Sequence, residues 1–260
     1  MLHGVDPLFA LSGLAVGLLV GFTGVGGGSL MTPLLVLAFG VHPATAVGTD
    51  LLYAGVTKIS GGAVHAYNRA VDWKITRRLA YGSVPAALLS LLALAHLGPA
   101  SKASGGIIST TLGFALIATA AMLIFRKTVQ ARLADRLDGA SEPMIGGLTI
   151  ALGAVLGVLV TISSVGAGAI GATVLLSLYP KLPVVRIVGS DIAHAVPLTL
   201  IAGTGHWTMG SVDLSMLVSL LAGSIPGIMV ASHFASRVPD RVLRPIMAGT
   251  LAVVGSRLAF

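Results

Sequence analysis

Asp50 and Asp191 are the only carboxylates inside the long apolar stretches of this chain. A charged side chain at the centre of a bilayer costs at least ~2.5 kcal/mol, so each needs a chemical reason. One reason is proton or cation coupling. The other is a structural acceptor that caps backbone N–H groups of a broken helix nearby. An ionised Asp would repel an anion, so neither is a direct anion ligand while charged. His194 follows Asp191 on the same helical face and is the candidate for proton handling. Lys58 shares a stretch with Asp50; it can attract an anion, neutralise Asp50, or snorkel to the interface.

Two runs of very small residues offer a second chemistry. They are Gly24-Val25-Gly26-Gly27-Gly28-Ser29 and Ser164-Val165-Gly166-Ala167-Gly168-Ala169, each interrupting an apolar stretch and each followed by a fresh apolar run. The helix after such a break opens with N–H groups that lack intrahelical partners and carry partial positive charge. Glycine lets an anion approach them closely. Thr23, Gly26, Gly27, Gly28 and Ser29 would form one half-site, and Ser163, Ser164, Gly166, Ala167 and Gly168 the other. The plainer reading is close helix packing through small residues, which suits Gly13, Gly17, Gly21, Gly153 and Gly157. Adjacent glycines destabilise a helix by about 1 kcal/mol each, which favours a built break at the two runs themselves.

The elements that carry these residues must lie in a membrane. Of 260 residues, 55% are hydrophobic and 10% charged, and the mean hydropathy is +0.96. A soluble domain carries about 25% charged residues, and apolar runs of about 20 residues, the length that spans a bilayer, recur here. The expected class is an all-α polytopic membrane protein; the alternation of a membrane barrel is absent. The net charge of +7 fits loops that face an anionic membrane surface, and no clustered basic face suggests nucleic acid. With no cysteine, disulfides and thiolate-held metal or iron–sulfur centres are excluded. No catalytic group, metal site or cofactor is expected. The N-terminus lacks a signal-peptide pattern, so the first apolar segment is expected to stay.

Five apolar segments, at 7–23, 29–39, 44–66, 75–97 and 103–125, precede a charged linker at 126–143. Five more follow, at 145–163, 169–179, 185–207, 214–235 and 242–259. This divides the chain into a first membrane repeat (1–125), a cytoplasmic linker (126–143) and a second membrane repeat (144–260), together one transmembrane domain. The halves align with each other. An offset of 140 places Gly17, Gly26 and Gly28 on Gly157, Gly166 and Gly168. After one extra residue near Lys181, Gly48, Asp50, His65, Gly82 and Pro85 fall on Gly189, Asp191, His206, Gly223 and Pro226. Pro85, Pro197 and Pro226 should kink their helices. His65 and His206 fall near segment ends, where Trp207 suits an interfacial anchor.

The basic loops share one side if each half crosses the membrane an odd number of times. That side is the cytoplasm, and both termini face out. The halves then have inverted topology, a pattern of secondary transporters. The short segments after each glycine run hold about 11 residues, roughly 16 Å as helix against a core of about 30 Å. Each repeat is therefore expected to hold a short re-entrant or broken helical hairpin plus three transmembrane helices, with the small-residue runs at the tips.

The chain resembles the TauE/SafE sulfite exporter family of membrane permeases. The resemblance rests on Gly24-Val25-Gly26-Gly27-Gly28 followed by Pro33, Ala46-Val47-Gly48-Thr49, Arg69-Ala70-Val71-Asp72-Trp73, Gly223-Ser224-Ile225-Pro226-Gly227 and Arg244. It covers nearly the whole chain. It implies transport of sulfite, a sulfonate or a similar sulfur-containing anion across the bacterial inner membrane, by alternating access and coupled to an ion gradient. A proton is the candidate coupling ion, and a second copy of the chain is a candidate partner. The second run lacks the triple glycine and the following proline, so the half-sites are unequal. Two other classes stay open. One is a cation or metal carrier using Asp50, Asp191 and His194; the other is an intramembrane Ser–His hydrolase built on Ser29.

Overall fold

The computed structural model describes residues 5–23, 28–67, 71–98, 101–137, 139–234 and 240–259. Within them the backbone forms ten helices and no strand. In chain order these are α1 (Pro7–Thr23), α2 (Gly28–Leu37), α3 (Pro43–Tyr67), α4 (Trp73–Leu97) and α5 (Lys102–Arg136). The second half gives α6 (Glu142–Ser163), α7 (Ala169–Leu178), α8 (Val184–Thr208), α9 (Leu214–Phe234) and α10 (Asp240–Ala259). Each apolar segment read from the sequence is one helix. Among the described residues, five helices are long and apolar enough to cross a membrane: α4, α5, α6, α8 and α9. Pro85, Pro197 and Pro226 lie inside continuous helices.

One boundary differs from the sequence expectation. The helix expected to stop at Phe125 runs on to Arg136, through most of the expected linker. The stretch from Arg126 to Arg136 holds no Gly or Pro, and Arg, Lys, Gln, Ala and Leu are good helix formers. Charge alone does not end a helix once it has left the hydrocarbon. At 1.5 Å per residue α5 is roughly 52 Å long, so one end must project beyond a core of about 30 Å.

The halves are interleaved. α1 packs along α9, α4 along α6, α5 against α10 and α3 against α8. Glycine makes the tightest of these contacts possible. A Cβ on Gly13 would sit 2.1 Å from the Leu220 carbonyl oxygen, and one on Gly153 would sit 2.2 Å from that of Leu79. Gly223 meets the Ala10 carbonyl and Gly82 the Ile150 carbonyl in the same way, at 1.8 and 1.9 Å. These are equivalent pairs under the sequence offset, so the duplicated halves make duplicated contacts. The helix starts repeat too. Asp72 caps α4 by accepting from the Lys74 and Ile75 N–H groups, and Asp213 accepts from the Met216 N–H at 2.9 Å. The Asp72 N–H donates to Ser190 Oγ at 2.7 Å and the Asp213 N–H to Thr49 Oγ1 at 3.1 Å.

Large apolar side chains cover the outside. Leu88, Leu89 and Leu92 on α4 and Met229 and Val230 on α9 are exposed, while Trp73 and Trp207 are exposed near helix ends. Hydrocarbon outside with aromatic rings at the rims is what a bilayer requires. The basic start of α4 meets the start of α6 and the end of α7 on one side. There Arg78 bonds Glu142, Lys74 pairs with Glu142 at 2.6 Å, and Arg78 donates to the Tyr179 hydroxyl at 3.2 Å.

Candidate functional site

The break between α6 and α7 is described throughout. α6 is closed by Ser164, the residue after its end, whose backbone is left-handed (φ 59°) and whose N–H donates to the Val160 carbonyl at 2.8 Å. Gly166 and Gly168 follow at φ 123° and 111°, conformations that favour residues without a Cβ. Gly168 is the N-cap of α7. The small residues therefore build a turn that reverses the chain within a few positions. Ser163 is used locally: its hydroxyl donates to the Leu159 carbonyl at 2.6 Å and accepts from the Val165 N–H at 3.3 Å. Ala167 packs against the cluster formed by Val47, Leu51, Val160 and Leu198. In the first break, Thr23 ends α1 and Gly28 and Ser29 open α2, whereas Gly26 and Gly27 lie outside the described residues.

Both carboxylates converge on the second break. Asp191, on α8, lies beside the Gly168 N–H at the start of α7. Its Oδ1 faces Gly171 so closely that a Cβ there would sit 2.5 Å away. Asp50, on α3, accepts a hydrogen bond of 2.5 Å from Thr32 Oγ1 of α2. The Ser164 hydroxyl lies beside the same carboxylate without closing a hydrogen bond of ordinary geometry. Both Asp side chains are buried.

Lys58 is the cation of this centre. It lies within electrostatic reach of Asp191, Asp50 and His194, and no hydrogen bond or ion pair closes on its ammonium group among the described residues. His194 shares a short hydrogen bond, 2.7 Å, between its Nε2 and Ser83 Oγ. Its Nδ1 has no partner among the described residues. Under the sequence offset the equivalent pair is Tyr53 and Ser224, whose hydroxyls neighbour each other without a closed hydrogen bond. Sequence reasoning missed Tyr53, Ser224, Ser83 and Thr32. The offset aligns Tyr53 with His194 and Ser83 with Ser224, a signal that could have found these three but not Thr32.

His206 corrects one expectation. It is not an interfacial anchor: it is 1% exposed, and its Nε2 lies 3.0 Å from the Thr161 carbonyl oxygen. Its neighbour Trp207 takes the outer position. The side chain of His65 lies outside the described residues. A separate groove of about 400 Å³ runs between α4, α5 and α6, lined by Leu89, Leu94, Ile107, Val158 and Ile162. Its walls are apolar and share no residue with the polar centre.

The arrangement narrows the chemistry. Among the described residues no three His, Cys, Asp or Glu side chains converge as metal ligands would. Ser83 and His194 have the spacing of a nucleophile and its base. However, Nδ1 of His194 lacks the orienting acceptor such a base needs, and the equivalent pair in the other half carries a phenol. The contact is thus a duplicated helix–helix meeting with one partner changed, closed as a hydrogen bond at Ser83 and His194.

The pattern of the family described as "Sulfite exporter TauE/SafE" matches residues 9–258. The chain belongs to the TauE/SafE family. Among relatives of this TauE/SafE chain, a "Probable membrane transporter protein YjnA" of Bacillus subtilis (strain 168) is 40% identical over 250 residues, covering 95% of this chain and 97% of the relative. A second protein of that organism, "Probable membrane transporter protein YdhB", is 28% identical over 94% of the chain and 96% of its own length. "Probable membrane transporter protein MJ0441" of Methanocaldococcus jannaschii is 25% identical over 96% and 93%. No solved structure matches the chain. The family is one of membrane transporters, and both the helix lengths and the apolar exterior suit that setting.

Proposed function

We propose that this TauE/SafE protein is a secondary transporter that moves a small sulfur-containing anion, such as sulfite or a sulfonate, together with protons. The observation that carries the reading is the charge set beside a helix break: two buried carboxylates, Asp50 and Asp191, with one half-buried lysine, Lys58, within their reach. With both carboxylates ionised the centre is net negative and repels an anion. With both protonated only Lys58 is charged, and the centre attracts one. Anion entry is therefore tied to proton entry by simple Coulomb accounting, which weighs most where water is excluded.

The start of α7 takes part in this exchange. Ionised Asp191 is the acceptor for the positive end of α7, the same position an anion would use. Protonation weakens that hold and leaves the Gly168 N–H and neighbouring donors for the anion. In the same way the first break, at Gly26, Gly27 and Gly28, would serve as a half-site at the start of α2. The two halves would sit in inverted topology with the breaks near mid-membrane. The pairs α1–α9 and α4–α6, each drawn from both halves, would rock against the α3–α8 centre to open one side at a time. The setting would be a bacterial inner membrane, with the basic start of α4 and the ends of α6 and α7 that meet it in the cytoplasm.

Purified protein in liposomes tests this reading. Labelled sulfite should accumulate when an inward proton gradient is imposed and should not when the gradient is collapsed. Uptake of a divalent cation instead, with none of sulfite, would overturn it.

A further inference from the structure

Each short helix starts at a break and finishes on an aromatic residue. α7 follows Gly168 and is closed at its far end by Tyr179. α2 opens at Gly28, and Phe39 stands just past its end. Tyr179 and Phe39 are equivalent under the offset of 140, and both are half-buried. Each reaches back to the helix that precedes its break. The Tyr179 hydroxyl lies 2.8 Å from Thr149 Oγ1 on α6. The Phe39 ring lies 4.9 Å, centroid to centroid, from the Phe9 ring on α1. Thr149 and Phe9 are equivalent under the same offset. One duplicated contact is therefore polar in one half and aromatic in the other.

The surroundings differ in the same sense. At the α7 end the hydrogen bonds run in one direction. Thr149 gives its proton to the Ile145 carbonyl at 2.7 Å, so it accepts from Tyr179. Tyr179 in turn accepts from Arg78 of α4 at 3.2 Å. Arg78 also bonds Glu142 at the start of α6, and Lys74 joins the same carboxylate. At the α2 end the residue equivalent to Arg78 is Ser219, which is uncharged and accepts from the Asp6 N–H at 3.0 Å. Phe9 and Phe39 pack there on the cluster that holds Leu35, Ala46 and Leu217. Lys74 and Glu142 are mostly exposed, so their ion pair alone contributes little. The chain from Arg78 through Tyr179 to Thr149 is what ties α4, α6 and α7 together.

We infer that these contacts are two end locks of unlike chemistry: a polar lock of Arg78, Tyr179 and Thr149, braced by Glu142, on α7, and an aromatic lock of Phe9 and Phe39 on α2. The inference rests on the alternating-access part of the reading above and not on the substrate. In the inverted arrangement the polar lock faces the cytoplasm and the aromatic lock faces out. Salt screens the charged brace and loosens the inner lock, whereas the outer lock contains no charge to screen. Ionic conditions thus act on the opening of one end only.

The test uses the absence of cysteine from this chain, which makes an introduced thiol the sole target of a charged maleimide. Ser177→Cys places a thiol at a buried position of α7 two residues before Tyr179, and Ala46→Cys places one in the buried cluster beneath Phe9 and Phe39. Labelling rates are measured in nanodiscs, where the reagent reaches both faces. Tyr179→Phe should speed labelling of Ser177→Cys by about tenfold without speeding that of Ala46→Cys. Phe39→Ala should do the reverse. Salt should speed labelling of Ser177→Cys alone, and Glu142→Gln should remove that rise. If Tyr179→Phe fails to fold, Glu142→Gln, a surface change, reports on the same lock by speeding labelling of Ser177→Cys alone. Equal effects at the two thiols, or none at either, would overturn the locks. Sulfite uptake by the same proteins separates the two readings. Overturned locks with uptake intact leave the transporter reading standing, whereas unequal labelling without sulfite uptake supports the locks and overturns the substrate.

Discussion

Ser164, where α6 ends, lies beside Asp50 of α3, while Asp191 of α8 lies beside Gly168 only a few residues further on. One helix break is therefore clasped by both buried carboxylates, one from each half of the chain. A change in the charge of either acts directly on the turn that joins α6 to α7. The account of transport grows from that clasp, and each consequence below can be measured.

Asp191→Asn keeps the shape and removes the titration. Under the proposed coupling, wild-type uptake rises as the medium is acidified, because the neutral carboxyl leaves the α7 start to the anion. The Asn variant should lose most of that dependence and show a flattened pH profile. Uptake rates across pH, with the internal pH held constant, read this. A profile identical to wild type would return Asp191 to a purely structural cap.

Lys58→Met removes the cation near Asp191 and Asp50. The anion should then bind at least about tenfold more weakly, a loss of about 1.4 kcal/mol or more. Lys58→Arg should recover part of the affinity, since charge rather than shape is required. An unchanged KM for sulfite in the Met variant would contradict the role given to Lys58.

Gly171→Ala tests the contact between α7 and Asp191. The added Cβ would stand 2.5 Å from Asp191 Oδ1 and 3.2 Å from Leu156 Cδ1. The carboxylate must move away from the start of α7. We expect folded protein with a stability loss of about 1–3 kcal/mol and uptake reduced severalfold. Thermal unfolding in detergent and uptake, measured on the same preparation, separate the two effects.

Gly82 and Gly147 make a paired test of the helix interface. At Gly82 a Cβ would fall 1.9 Å from the Ile150 carbonyl oxygen, whereas at Gly147 nothing lies within 4 Å. Gly82→Val should prevent α4 and α6 from closing and lower the unfolding temperature sharply. Gly147→Ala should leave it unchanged or raise it slightly, because Ala is the better helix former by up to about 1 kcal/mol. Equal unfolding temperatures for the two variants would show that the α4–α6 approach is not what holds the bundle.

Much of this architecture was legible in the residues. Hydropathy runs located the ten helices, and the glycine runs located the break from Ser164 to Gly168. The offset between halves anticipated that Gly13 and Gly153 do equivalent work, as their carbonyl contacts with Leu220 and Leu79 show. What the residues left open was direction. Lys58 has an uncharged partner, Thr199, under the offset, so duplication gave no hint that it reaches both carboxylates. Tyr53 and Ser224 are ordinary in an apolar helix, and only their meeting across α3 and α9 gives them a role. His206 resembled an anchor because it precedes Trp207. A helix face turns by about 100° per residue, which put the tryptophan outside and the histidine inside. α5 outran its apolar segment because the charged residues after Phe125 favour helix as well as water.

The central claim is that buried protons open the centre to an anion. The most direct measurement is sulfite uptake into proteoliposomes at zero membrane potential, with the proton gradient as the only driving force. A simultaneous record of internal pH completes it. The account predicts uphill sulfite accumulation accompanied by internal acidification, both abolished in the Asp50→Asn and Asp191→Asn double variant. Sulfite uptake that ignores the gradient and leaves the internal pH unchanged would contradict it.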